Sequence, residues 1–118
     1  MFVTSLIWYM SIVVKVVQPT GILDGTKAGD FRQEVTELVK SNADIILINF
    51  QDVTFMDSSG LGALVLALKT IRAAGSKMYI CSVNEQIRML FELTSMDRVF
   101  DIFPTREDFE SEVLSTTT

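Results

Sequence analysis

The sequence contains no histidine, and this absence excludes several kinds of catalytic and metal site. Serine and cysteine nucleophiles that depend on an imidazole base, and zinc sites with histidine ligands, need a residue that the chain lacks. Cysteine is nearly absent as well, because Cys81 stands alone. The chain therefore cannot form an internal disulfide, a CxxC redox pair or an all-cysteine zinc site. A lone cysteine is compatible with a reducing compartment, and we expect a cytoplasmic protein without a cofactor.

Basic residues are outnumbered, with 10 Lys and Arg against 15 Asp and Glu and a formal net charge of -5. Nucleic-acid binding needs clustered Lys and Arg, whereas the basic residues here stand singly along the chain. We therefore expect no nucleic-acid partner.

The stretch before Lys15 has no charged side chain. It is shorter than the ~20 residues that a spanning helix requires. No basic segment precedes it and no small-residue cleavage site follows it, as a signal peptide would require. We expect neither a membrane span nor a signal peptide.

Apolar segments of two kinds alternate along the chain. Segments rich in β-branched or continuous apolar residues are typical of strands and occupy residues 12–17, 44–50, 77–81 and 99–103. Apolar residues at helical spacing predict four helices, which begin after the cap Asp30, at the serines 58 and 59, after Asn84 and after Thr105. This alternation predicts an α/β fold with a mostly parallel sheet and N-terminal β material at an edge. No repeat or linker divides the chain, so we expect one domain over residues 1–118, with a frayed tail at 115–118.

The sharpest local feature is Asp57-Ser58-Ser59-Gly60, where a predicted strand meets a predicted helix. Partners and ligands collect at such junctions in α/β sheets. One interpretation is structural, with Ser58 or Ser59 as the N-cap of the helix. The other is functional, because a hydroxyl beside a glycine at a helix N-terminus is well placed to carry an anionic phosphate. Such a phosphate adds about -1.5 to -2 charges beside Asp57 and near Asp24, and would repel a partner without refolding the domain.

Other kinds of site match the sequence poorly. The segment is not a GxSxG nucleophile elbow, and Gly60-Leu61-Gly62 lacks the third small residue of a dinucleotide fingerprint because Val65 stands there. The acids Asp24, Asp52 and Asp57 lie on separate loops without calcium-loop spacing. We expect no enzyme active site and no metal site.

These residues resemble the STAS domain family, and within it the bacterial anti-sigma-factor antagonists. The most specific segment is VTFMDSSGLG at 53–62, and weaker matches are ILDG at 22–25, the Ala-Gly pair at 74–75 and LFELTSMDRVF at 90–100. They follow the family's order from about residue 12 to residue 109. The resemblance implies a single STAS-like α/β domain with a mixed, mostly parallel sheet and about four helices packed mainly on one face.

The resemblance also implies a phospho-switch in which the protein itself is not an enzyme. Ser59 corresponds to the phosphoacceptor, and Asp24, Asp57, Ser58 and Gly60 belong to the partner-binding surface. The unphosphorylated antagonist would bind a serine kinase that is also an anti-sigma factor and thereby free the sigma factor. Phosphorylation would break that complex, and a metal-dependent serine phosphatase would reset it. The alternative is an unphosphorylated STAS scaffold or small-ligand-binding module in a larger regulatory or transport complex.

The chain departs from the family pattern at two places. Ile22 stands where the family often has an arginine before the Leu-Asp pair. No Gly, Pro, Asn or Asp occurs between Met1 and Gln18 to form the turn between two opening strands. We interpret residues 1–9 as an N-terminal extension or as an edge strand, which would support a homodimer through exposed apolar side chains.

Overall fold

A computed structural model describes residues 12–114. The predicted extension or edge strand at 1–9, the dimer contact expected of it and the predicted frayed tail at 115–118 lie outside these residues. The strands are β1 (Val14–Val17), β2 (Gly21–Leu23), β3 (Ile45–Asn49), β4 (Val53–Met56), β5 (Lys77–Cys81) and β6 (Ile102–Phe103). The helices are α1 (Gly25–Lys40), α2 (Ser58–Ala73), α3 (Glu85–Leu93) and α4 (Arg106–Phe109), with a 3-10 turn at Met96–Arg98 and a π-helical turn at Glu110–Leu114.

The main sheet has four strands in the order β1-β3-β5-β6, and each of these pairings is parallel. All five residues of β3 are buried, because the sheet has a core on both of its faces and the first four residues of IILIN are apolar. Only its last residue, Asn49, is polar. Within the described part of the chain, β1 lies at an edge of the sheet, as the sequence predicts. The predicted α/β class, with a mostly parallel sheet and four helices, is confirmed.

The helices are divided unequally between the two faces of the sheet. On one face, side chains of the first three helices such as Val35, Leu64 and Phe91 pack in the same core as Ile46 and Ile80. The opposite face forms a smaller cluster, which contains Ile45, Leu47, Cys81 and Phe109 of α4. Cys81 is fully buried there, and burial raises the pKa of its thiol. The cysteine is thus a small core residue.

Strands β2 and β4 form a separate two-stranded parallel ribbon. Its register pairs Ile22 with Phe55 and Leu23 with Met56. Leu23 and Met56 face the core and are 2% and 0% exposed, whereas Ile22 and Phe55 keep 49% and 45% of their surface in solvent. The ribbon therefore has a buried face and an apolar exposed face.

Two predicted element boundaries are wrong. Helix α1 begins at Gly25 because Asp24 caps it, six residues before the predicted cap Asp30. The predicted strand at 99–103 is reduced to its last residues, Ile102–Phe103, because the preceding chain forms the 3-10 turn at Met96–Arg98 and Val99 closes that turn.

Candidate functional site

The parallel ribbon brings two strand-to-helix junctions side by side. β2 leads through Asp24 into α1, and β4 leads through Asp57 into α2. Because Leu23 pairs with Met56, the two aspartates that follow them are neighbours. A backbone hydrogen bond of 3.4 Å from the Asp57 N–H to the Leu23 carbonyl joins the junctions. We call the five residues Asp24, Gly25, Asp57, Ser58 and Ser59 the junction surface.

Each aspartate is the N-cap of the helix that follows it. Asp57 has an extended backbone, and its Oδ1 accepts a 2.9 Å hydrogen bond from the Gly60 N–H. Asp24 Oδ1 accepts from the Thr26 N–H at 2.9 Å and from the Thr26 hydroxyl at 2.5 Å. The hydrogen bond from the Thr26 hydroxyl, followed by that from its N–H, lowers the pKa of the Asp24 carboxyl. Both carboxylates thus satisfy N–H groups that a helix start leaves without intrahelical partners.

The prediction that Ser58 or Ser59 caps α2 is wrong, because Asp57 holds the cap position. The serines are instead the first two residues of the helix, and both are exposed. In the region 12–114, neither serine hydroxyl makes a hydrogen bond. Their exposed position at the positive end of the helix dipole suits an added anionic group.

Gly60 lies where the two junctions touch. A Cβ at this position would stand 2.1 Å from the Leu23 carbonyl oxygen, far inside van der Waals contact. The first turn of α2 therefore packs directly on the end of β2. At the neighbouring junction, a Cβ on Gly25 would lie 3.7 Å from the Ser59 Oγ, so the backbone of the first junction flanks the Ser59 hydroxyl.

A groove of about 730 Å³ runs from the serines between α1 and α2. Ser58 and Ser59 line it together with Arg32 of α1 and the apolar side chains of Leu66 and Met96. Of the predicted partner-binding residues, Ser58 belongs to this groove, whereas Gly60 is buried and supports the surface from below. Serine hydroxyls, a guanidinium and apolar side chains thus share one concave surface.

Two polar side chains from the start of α3 hold the other edge of β4. The Gln86 amide accepts from the Met56 N–H at 2.9 Å and donates to the Met56 carbonyl at 2.8 Å. Asn84 Nδ2 donates to the carbonyls of Val53 and Thr54 at 3.2 and 3.1 Å. The sequence predicts Asn84 as the cap of α3, which its 2.9 Å hydrogen bond from the Ile87 N–H confirms.

Sequence reasoning missed Gln86 altogether. A polar residue in the first turn of a helix is expected to face solvent, and its strand partner lies 30 positions away. The available signal is weak: a primary amide is one of the few side chains that can both accept from an N–H and donate to a carbonyl.

The acidic residues of the site are used for structure. Asp52 accepts a 2.7 Å hydrogen bond from the Gln18 side chain, while Asp24 and Asp57 cap helices. Over residues 12–114, no group of three or more acidic or cysteine side chains could hold a metal ion. The same part of the chain contains no helix that is long and apolar enough to cross a membrane.

The family assignment follows from a match to the STAS domain family over residues 11–109. The chain belongs to the STAS domain family. Among its STAS relatives, the anti-sigma F factor antagonist of Paenibacillus polymyxa is 28% identical over 91 residues, which cover 76% of this chain and 78% of that protein. The anti-sigma-B factor antagonist of Staphylococcus aureus is 32% identical over 76 residues, or 64% of this chain and 70% of that protein.

Solved STAS structures share the arrangement described above. A candidate anti-sigma factor antagonist from Thermotoga maritima superposes with a TM-score of 0.77 at 28% identity, covering 83% of this chain and 85% of that one. The Bacillus cell fate determinant SpoIIAA in its phosphorylated form shares the fold, with a TM-score of 0.62 at 20% identity over 81% of this chain and 87% of that chain. The resemblance read from DSSGLG and its flanking segments is thereby confirmed, and the chain is similar to the antagonist type of STAS domain.

Proposed function

We propose that this STAS domain is an anti-sigma-factor antagonist of the cytoplasm that is switched by phosphorylation of Ser59. Unphosphorylated, it binds a serine kinase that is also an anti-sigma factor, and the kinase releases its target. The kinase transfers the γ-phosphoryl group of ATP to the Ser59 Oγ, which loses its proton, and ADP leaves. A metal-dependent phosphatase returns the hydroxyl by hydrolysis to inorganic phosphate. The antagonist itself catalyses neither step.

The single observation that carries this proposal is the state of the Ser59 hydroxyl. Because Asp57 takes the capping role, Ser59 sits one residue inside the helix with an exposed hydroxyl that makes no hydrogen bond in the described part of the chain. A serine at the N-cap position itself would use its oxygen to accept a helix N–H, but Asp57 holds that position. The hydroxyl is therefore available to a kinase without the loss of a native hydrogen bond.

The surroundings of Ser59 explain how a phosphate would act. The Ser59 side chain lies against Gly25 of the neighbouring junction, so a phosphate there adds about -1.5 to -2 charges to a surface that already carries Asp24 and Asp57. A partner that recognises these two carboxylates would meet a strongly altered potential and a bulkier side chain. Since the phosphate stands on an exposed position, the fold would not have to change.

The exposed side of the ribbon extends the proposed partner surface. Ile22 and Phe55 are paired across β2 and β4 and are both close to half exposed. Ile22 directly precedes Leu23-Asp24, and Phe55 directly precedes Met56-Asp57. Contiguous exposed apolar side chains rimmed by polar ones are typical of interaction sites. Ile22 stands where members of the family often carry an arginine.

The test is phosphorylation by the anti-sigma-type kinases of the protein's own source with ATP, followed by intact and peptide mass spectrometry. We expect one phosphate, on Ser59. The adjacent serine provides a matched control, because Ser58→Ala should still accept one phosphate and Ser59→Ala should accept none. Phosphate on Ser58 alone, or no phosphate with any kinase, would contradict the proposal.

Binding of the same kinase supplies the second test. Ser59→Asp should abolish the complex in calorimetry or pull-down, whereas Ser59→Ala should keep it. The alternative, a scaffold or ligand-binding module that works without phosphorylation, predicts that stable membership of a larger complex is indifferent to both substitutions.

A further inference from the structure

At Met56, the outer edge of β4 is closed by a side chain instead of a strand. β2 pairs with β4 on one side, and over residues 12–114 no strand pairs with the other side. There, the Met56 N–H and the Met56 carbonyl both point at the Gln86 amide, at 2.9 and 2.8 Å. A single side chain thus makes the two hydrogen bonds that a neighbouring strand would supply.

The residue that Gln86 holds is the last one before the junction surface. Met56 is fully buried, and the chain turns directly after it through Asp57 into Ser58 and Ser59. With both polar groups of Met56 bonded, the peptide planes on each side of it are fixed. The direction in which Asp57 enters the cap, and with it the position of Ser59, is therefore set from α3.

Gln86 is itself held firmly. Asn84, two residues earlier, caps α3 and also bonds to β4, and the following residue Ile87 is fully buried in the main core. The side chain therefore projects from a fixed backbone. Asn84 holds the start of the segment Val53–Met56, and Gln86 holds its end.

We propose that Gln86 is a positioning residue for the Ser59 hydroxyl, acting through the backbone of Met56. The inference rests on the proposed function of Ser59 as phosphoacceptor. The position requires an amide, because it must accept one hydrogen bond and donate another. A glutamate offers no donor to the Met56 carbonyl when ionised, and a methionine of similar size offers no donor and only a weakly accepting sulfur.

Amide hydrogen exchange followed by NMR tests the structural half of this inference without any partner. In Gln86→Met, we expect the Met56 amide to exchange roughly tenfold faster, since it loses its acceptor. The Gly60 N–H donates a hydrogen bond to the Asp57 carboxylate. It should exchange roughly threefold faster in this variant, because Asp57 is then less well placed as the cap of α2. Amides of β3 should keep their rates. Unchanged exchange at Gly60 would overturn the inference even if Met56 responds.

Phosphorylation kinetics test the functional half. With the kinase that modifies Ser59, we expect kcat for Gln86→Met and Gln86→Glu to fall roughly tenfold, because a misplaced hydroxyl reaches the reactive geometry less often. The KM should change less than threefold, since the junction carboxylates remain. An unchanged kcat in both variants would show that Gln86 only stabilises the fold.

Two controls separate positioning from stability. Gln33 lies exposed on α1 with a long 3.4 Å contact to Glu37, so Gln33→Met should leave both exchange and kcat unchanged. Val16→Ala removes methyl groups from the opposite face of the sheet and should lower the Tm without lowering kcat. If no kinase modifies the parent protein, the proposed function fails, whereas the exchange at Gly60 still decides whether Gln86 positions the turn.

Discussion

The two strand-to-helix junctions are built alike but use their glycines for opposite purposes. Both strands end in register, and both helices begin at an aspartate cap. At the first junction, Gly25 is exposed and leaves room beside the Ser59 hydroxyl. At the second, Gly60 is buried against the Leu23 carbonyl. One glycine thus keeps a surface open, and the other lets two backbones meet.

The two caps differ as well. Asp24 accepts from the residue two positions ahead and takes a hydroxyl hydrogen bond in addition, whereas Asp57 accepts from the residue three positions ahead. Thr26 thus has its hydroxyl bound to the cap, while the serines of the second junction have theirs exposed. The comparison teaches that the difference lies in the hydroxyls: that of Thr26 is bonded to its cap, whereas those of Ser58 and Ser59 make no hydrogen bond within residues 12–114.

The largest effect on stability is expected at Gly60, where the backbone of α2 meets that of β2. Gly60→Ala places a methyl group 2.1 Å from the Leu23 oxygen, and backbone cannot move aside as a flexible side chain would. We expect a loss of about 3 kcal/mol or more in unfolding free energy, which corresponds to a Tm lower by roughly 10 °C for a domain of this size. Thermal and urea unfolding measure it.

Gly62 supplies the matched control for that substitution. It lies in the same helix, is exposed, and a Cβ there would meet nothing within 4 Å. Gly62→Ala should raise the unfolding free energy by about 0.5–1 kcal/mol, because alanine is the better helix former. If Gly60→Ala and Gly62→Ala changed the unfolding free energy equally, α2 could not approach β2 as closely as described.

The two aspartate caps should differ by a smaller amount in what they contribute to the unfolding free energy. The hydrogen bond to Asp57 is partly buried and those to Asp24 are exposed, and loss of an N-cap costs about 0.5–2 kcal/mol. We expect Asp57→Ala to cost about 1.5 kcal/mol in urea unfolding, and Asp24→Ala to cost clearly less. Asp57→Ser and Asp24→Ser should restore most of each loss, since serine also caps. Equal losses would remove the distinction between the junctions.

Gly25→Ala probes access to the hydroxyl without disturbing the fold. The added methyl would stand 3.7 Å from the Ser59 Oγ, an ordinary contact, so the unfolding free energy should change by less than about 0.5 kcal/mol. Phosphorylation of Ser59 should nevertheless slow about fivefold, because small displacements at a reacting group are costly. An unchanged rate of phosphorylation would show that this side of Ser59 is not approached by the kinase.

Much of the fold could be predicted from local pattern, and the exceptions share a cause. The continuous apolar run of β3 and the helical stripe that starts near Leu61 have few alternative interpretations. The predicted start of α1 was wrong by six residues because Gly25, Thr26 and Gly29 are weak helix formers that conceal the true start. The predicted cap of α2 was wrong because Asp57, Ser58 and Ser59 have similar propensities for the N-cap position. Propensity alone does not decide such a competition.

The candidate site likewise has a part that local sequence predicts and a part that only distant contacts determine. DSSGLG marks the junction in sequence, but what makes Gly60 necessary is a carbonyl 37 positions earlier, and what holds Met56 is an amide 30 positions later. Contacts of this range come from the parallel register of the ribbon and the docking of α3. Neither leaves a periodic or compositional trace in the sequence.

The smallest expected effect concerns the pH dependence of the first cap. The pKa of Asp24 lies below its ordinary value of 3.8, and the Thr26 hydroxyl is the main cause. A carboxyl whose pKa is lowered by folding stabilises the native state above its unfolded pKa, and this contribution is lost as the pH falls through the folded pKa. Thr26→Val should therefore raise the Asp24 pKa toward 3.8, measured by carboxyl NMR titration. Thr36→Val, which removes a hydroxyl bonded to the Arg32 carbonyl on the same helix, should leave it unchanged. If Thr26→Val left the Asp24 titration unmoved, the threonine hydroxyl would not be tied to the cap, and the contrast with the unbonded serines of the second junction would lose its basis.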